Sequence, residues 1–118
     1  MQDFKKLKIW ERSQEIAHKI YDITADLPPE ERYGVTSQIR RSVISISSNI
    51  AEGAGKSTNK DFSRFLDTSM GSLYEVQSLL MFSKFRFNLK ADEVENVESE
   101  LEELAKMIFT FKNRLTGI

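Results

Sequence analysis

Apolar residues recur along this chain at alternating intervals of three and four, the spacing of helices that each bury one face. The first stripe, Ile9, Ser13, Ile16, Ile20, Ile23 and Leu27, has one polar substitution. It predicts a helix from about Lys8 to Asp26. Pro28-Pro29 stops it, because proline lacks an amide donor and turns its predecessor away from helical backbone. A second stripe, Ile39, Val43, Ile46 and Ile50, predicts a helix starting between Glu31 and Ser37, with Gly34 as the break and Thr36 or Ser37 as the cap. Gly53 and Gly55 are expected to end it, glycine being able to close a last turn in the left-handed conformation.

A third helix opens after Thr58, whose hydroxyl can cap it while Asp61 offers a weak capping-box partner. Its stripe is Phe62, Leu66, Ser69, Leu73, Val76 and Leu80, fading near Arg86-Phe87-Asn88. The fourth is the most regular: Val94, Val97, Leu101, Leu104, Ile108, Phe111 and Leu115. No segment alternates with the period of two that a strand needs, and no internal repeat stands out. A 3.5-residue period favours packing near 20° between helices, and short connections make sequential helices antiparallel neighbours. The expected fold is all-α, an antiparallel up-down-up-down four-helix bundle spanning residues 1–118 as one domain. Its expected core is Ile16, Ile20, Ile39, Val43, Ile46, Leu66, Leu73, Val76, Leu101, Leu104, Ile108 and Phe111.

Composition agrees with a globular helical domain: 40% of residues are hydrophobic and 30% charged, with only two prolines. There is no cysteine, hence no disulfide and no thiolate metal site, which suits a reducing cytosol. No apolar run is long enough for a signal peptide or a membrane span, so a soluble, cytoplasmic protein is expected. A net charge of −1 does not advertise nucleic-acid binding. The distribution is less even: from Ala91 to Ala105 there are seven acidic residues and no basic one, which reads most simply as a solvated helix face.

Motifs for chemistry fail on inspection. Glu15 and His18 stand at di-iron spacing, but such a site needs a second Glu-x-x-His and further inward carboxylates, and His18 is the only histidine. Gly55-Lys56-Ser57 looks like the tail of a phosphate-binding loop, but the first glycine of that motif would fall on Ile50 and no strand precedes it. No nucleophile–base–acid set can be assembled. The sequence therefore implies no catalytic residue, cofactor, metal or small-molecule substrate.

Two features survive. Ser45, Ser48 and Asn49 on the second helix, with Gly71 and Ser72 on the third, make a small-residue surface that suits either an intrachain helix contact or a subunit interface. Lys5, Lys6, Lys8 and Arg12, joined by Arg40 and Arg41, form a basic set. This is either ordinary surface charge pairing with Glu52 or Glu75, or a patch that contacts phosphates.

Several elements in order resemble one family. They are Phe4 to Trp10, Pro28, Glu31 and Gly34, Gln38-Ile-Arg-Arg41, Asn49-Ile-Ala-Glu-Gly53, Phe62 and Phe65-Leu66, and Gly71-Ser-Leu-Tyr-Glu75. Together they resemble the bacterial 23S rRNA intervening-sequence proteins, often called "four helix bundle protein", over nearly the whole chain. The resemblance implies a small antiparallel bundle assembling as a homopentamer, with no established enzymatic activity. A related branch, the accessory proteins of diversity-generating retroelements, is a basic pentamer working with a reverse transcriptase and nucleic acid; the acidic fourth helix departs from it. Two functions are carried forward. One is a homo-oligomeric bundle binding RNA weakly and salt-dependently through Lys5, Lys6, Lys8, Arg12, Arg40 and Arg41, with Trp10, Ser45, Ser48 and Asn49 at the subunit contact. The other is an interaction module without nucleic-acid affinity.

Overall fold

The computed structural model describes residues 1–117, and among these there is no strand. Four helices follow one another: α1 (Lys8–Thr24), α2 (Val35–Ala54), α3 (Asn59–Arg86) and α4 (Ala91–Thr116), with short 3-10 turns at Phe4–Lys6 and Pro29–Glu31. They contact in the cyclic order α1–α2–α3–α4–α1, the up-down-up-down bundle, elongated to 44 × 24 × 20 Å. The stripes read from the sequence converge on one core. Ile20, Ile39, Val43, Ile46, Leu66, Leu73, Val76, Leu101, Leu104 and Ile108 are fully buried, and Ile16 is nearly so. Phe111 is the exception among the expected core residues. It packs on Phe62, with ring centroids 5.5 Å apart, but stays half-buried because the groove between α1 and α4 opens over it.

Of the hydroxyls on the buried faces some are satisfied locally, whereas Ser83 Oγ is buried without a partner among the described residues. Ser13 donates to the Trp10 carbonyl at 2.7 Å and Thr24 to the Ile20 carbonyl at 2.7 Å, bonds that return the hydroxyl to its own helix. Across the α2–α3 contact, Ser69 donates to the Ile46 carbonyl at 2.8 Å, which requires the two helices to approach closely.

The helix ends differ from expectation at three places. α1 stops at Thr24, two residues early, as Asp26 and Leu27 enter turns that bond back to Ile23 and Thr24. α2 starts at Val35 with Gly34 as its cap residue, so Thr36 and Ser37 lie inside the first turn rather than capping it. In place of a hydroxyl cap, the Glu31 carboxylate reaches forward to accept from the Val35 amide at 3.3 Å. Gly53 is helical rather than a left-handed stop; the only positive φ among the described residues is at Gly117, which closes α4. What Gly53 provides is closeness: a Cβ there would lie 2.7 Å from the Phe65 Cβ and 2.8 Å from the Phe62 ring. Thr58 does cap α3, its hydroxyl accepting from the Asp61 amide at 3.1 Å.

Candidate nucleic-acid interface

Folding divides the six basic residues expected to act together. Lys5, Lys6, Lys8 and Arg12 lie at the end of the bundle where α1 begins, while Arg40 and Arg41 lie in the other half, on α2. Arg40 is committed inside the chain. Its guanidinium covers the Tyr21 ring at 4.5 Å, and it donates to the Thr24 hydroxyl at 2.9 Å and the Tyr21 carbonyl at 3.1 Å. It ties α2 to the last turn of α1, where a cation also meets the negative end of the helix dipole. Arg41, one residue on and turned by about 100° of helix, is exposed beside the polar groove of Gln38 and Glu75. Neither arginine pairs with an acid among the described residues, and Glu75 accepts instead from Gln38 at 3.3 Å. Arg12 is held by Glu103 at 3.1 Å and Glu15 at 3.6 Å, bridging α1 to α4. Replacing Arg40 by alanine is expected to cost about 1 kcal/mol of stability, allowing for its partial exposure, and to leave any binding at the far end unchanged. Urea unfolding of the variant measures the first part.

The same end of the bundle gathers cations that lie far away in sequence. The Gln2 amide donates to the Ala54 carbonyl at 2.8 Å, which sets Lys5 and Lys6 near the turn carrying Lys56 and Lys60. The Asn59 side chain donates to the Leu115 carbonyl at 3.1 Å, which brings the last turn of α4 and Arg114 to that end. Lys8, Lys106 and Arg114 line one open groove of about 370 Å³ between α1 and α4, over Ile9, Met107 and Phe111. Among the described residues none of Lys5, Lys6, Lys8, Lys56, Lys60, Lys106 and Arg114 forms an ion pair. Lys112 is spent on Asp67.

Counting along the fold shows the separation. Segments 1–15, 46–72 and 104–117 share one end and carry ten Lys/Arg against six Asp/Glu, a net +4. Segments 16–45 and 73–103 share the other and carry seven against twelve, a net −5. The acidic run of α4 belongs to the second end, where Glu100 pairs with Lys19 and Glu98 with Lys84. Antiparallel helices of nearly neutral total charge thus make a bundle with one positive and one negative end.

The residues expected at a subunit contact are partly used within the chain. Ser45 and Ser72 share a hydrogen bond of 2.8 Å, and the Asn49 amide donates to the Ser45 carbonyl and hydroxyl at 2.8 and 2.9 Å. Trp10 is half-buried, edge-on to Phe4 at 5.1 Å. Ser48 is exposed. Gly71 does not join Ser72 at the α2–α3 contact; it faces open space on the outer side of α3.

Among the described residues no three or more His, Cys, Asp or Glu side chains gather to hold a metal ion, and no helix is long and apolar enough to cross a membrane. The fold and its polar surfaces define a small helical-bundle protein whose most organised surface feature is charge. More particularly, the chain belongs to the 23S rRNA-intervening sequence protein family, whose family model matches residues 5–110. Its fold is shared by the 1.70 Å crystal structure of a protein of unknown function from the S23 ribosomal protein family of Bacteroides thetaiotaomicron. That structure has a TM-score of 0.80 and 21% identity, covering 88% of this chain and 97% of that one. No curated protein matches the chain.

Proposed function

We propose that this protein is a non-enzymatic, cytoplasmic, homo-oligomeric bundle that associates with RNA through the positive end of each subunit. The observation that carries the reading is the gathering there, among the described residues, of seven cations without an ion pair from three separate stretches of chain. Lysines and an arginine spread over one end of the bundle neutralise phosphates without reading bases, so the binding is sequence-independent. A single subunit offers few contacts. Repetition around an assembly, of five copies if the family resemblance holds, multiplies weak contacts by avidity. The acidic end points away from the polyanion, so its carboxylates do not cancel the attraction.

The test is a titration of structured RNA at low and physiological salt. Affinity is expected to fall steeply with salt, by close to one power of the salt concentration for each phosphate neutralised. The Lys5→Glu/Lys6→Glu/Lys56→Glu/Lys60→Glu variant is expected to lose at least tenfold, and Arg41→Ala little. Absence of binding at low salt, or binding indifferent to the four-lysine variant, overturns the reading.

A further inference from the structure

The groove between α1 and α4 at the positive end combines two surfaces that phosphate contacts alone do not need together. Its floor is apolar, made by Ile9, Met107 and Phe111. Its rim is cationic: Lys8 of α1 with Lys106 and Arg114 of α4, none of them in an ion pair among the described residues. Glu103 also lines the groove, but Arg12 holds its carboxylate at 3.1 Å. Ile9 is buried, whereas Met107 and Phe111 are half-buried and line the groove with the surface that remains. The Phe111 ring is braced by buried Phe62, with centroids 5.5 Å apart.

We infer that this groove seats one unpaired nucleobase of a single-stranded RNA segment, with the phosphates on either side of it held by Lys8, Lys106 and Arg114. This rests on the reading of the positive end as an RNA contact, and it names the form of RNA taken. Three observations select the occupant. The first is size. Met107 and Phe111 stand one helical turn apart, so the floor is about 6 Å long, the scale of one planar ring. An amphipathic helix would need anchors spread over two turns or more. The second is charge. A single-headed anion such as a fatty acid would satisfy one rim cation, whereas a strand with repeated charge meets all three and runs on toward Lys5, Lys6, Lys56 and Lys60. Lys106 and Arg114, eight residues apart on one helix, flank the floor about 12 Å from each other along the axis. The third is chemistry. A phenyl ring and a polarizable thioether accept the flat face of any base, so the contact stays independent of sequence.

A base paired and stacked within a duplex cannot reach the floor and meets only the cations of the rim. The groove therefore sorts RNA by form, taking loops, bulges and ends before continuous helix.

The test titrates the protein at low salt with a uridine oligomer of about 12 nucleotides, within the usual site size for single strands, and with an RNA duplex of equal phosphate count. Phosphate contacts alone favour the duplex, whose charge is denser. The single strand is expected to bind at least about fivefold more tightly, the smallest gain that one stacked base provides. Met107→Gln keeps the length of the side chain and removes its apolar end. It is expected to erase most of that preference while leaving duplex affinity and the salt slope unchanged. Irradiation of a strand carrying 5-iodouridine is expected to cross-link Met107 or Phe111 of the wild type, and this decides the matter if Met107→Gln loses helicity. Three results overturn the inference alone: a duplex bound as tightly as the strand, cross-links confined to other residues, or a preference undiminished in a folded Met107→Gln. Decanoate bound by a protein without strand preference, and lost in Met107→Gln, gives the groove to an amphiphile and also overturns it. No binding of either RNA at low salt overturns the inference and the RNA reading together.

Discussion

Leu104→Ala is expected to lower the free energy of unfolding by about 2–5 kcal/mol, the range for emptying a buried leucine site. Leu104 sits in the middle of α4 with no accessible surface, among a core supplied by all four helices. Because the helices are held in place by their other core contacts, the site has little freedom to collapse and a cavity remains. Urea denaturation at fixed protein concentration measures the loss. The midpoint should fall while the slope is retained, since the surface exposed on unfolding hardly changes. Phe109→Ala, five residues on and exposed, is the comparison and is expected to change the stability of a subunit by less than about 0.5 kcal/mol.

Gly53→Val is expected to be nearly as damaging, by about 3 kcal/mol, for the opposite reason. The first atom of any side chain there meets the Cβ of Phe65 and the ring of Phe62. Phe62 is buried and packs on Phe111, so it has no room to withdraw. Even Gly53→Ala should lose stability, although alanine favours a helix by up to about 1 kcal/mol over glycine. Gly55→Ala separates this crowding from any general need for glycine. At Gly55 a Cβ meets only the Glu52 carbonyl at an ordinary 3.5 Å, with negative φ, and the change is expected to be neutral or stabilising. Thermal or urea unfolding of the three variants provides the ranking.

These glycines also show how far the sequence could be read. Periodicity located all four helices because burial enforces it, and Pro28-Pro29 and Thr58 act through their own backbone and hydroxyl chemistry, which is local. Gly53 reads as a stop in the sequence because a helix-ending glycine and one that admits a neighbouring phenylalanine look alike until the neighbour is in place. The expected cap at Thr36 or Ser37 failed similarly: Glu31, brought round by the turn at Pro29–Glu31, meets the first amide of α2 instead.

The candidate interface was legible in part. Lys5, Lys6 and Lys8 stand together in sequence and in space, whereas Lys56, Lys60, Lys106 and Arg114 join them only through antiparallel topology. Residue-by-residue charge along the chain carries no sign of that until each helix has been given a direction. Arg40 and Arg41 are adjacent and chemically identical, yet helical rotation turns one onto Tyr21 and leaves the other in solvent.

The separation of charge between the two ends has a mechanical consequence. A protein with a net charge of −1 should drift only feebly in an electric field, but unequal ends make it turn. Near a polyanion the molecule experiences a torque before it experiences much pull, and it arrives aligned, with its long axis along the field. Orientation of this kind lasts only over a Debye length, about 8 Å at physiological ionic strength. At that range it acts as a final adjustment of approach, presenting the lysines at the start of α1 and keeping the carboxylates of α4 out of the encounter.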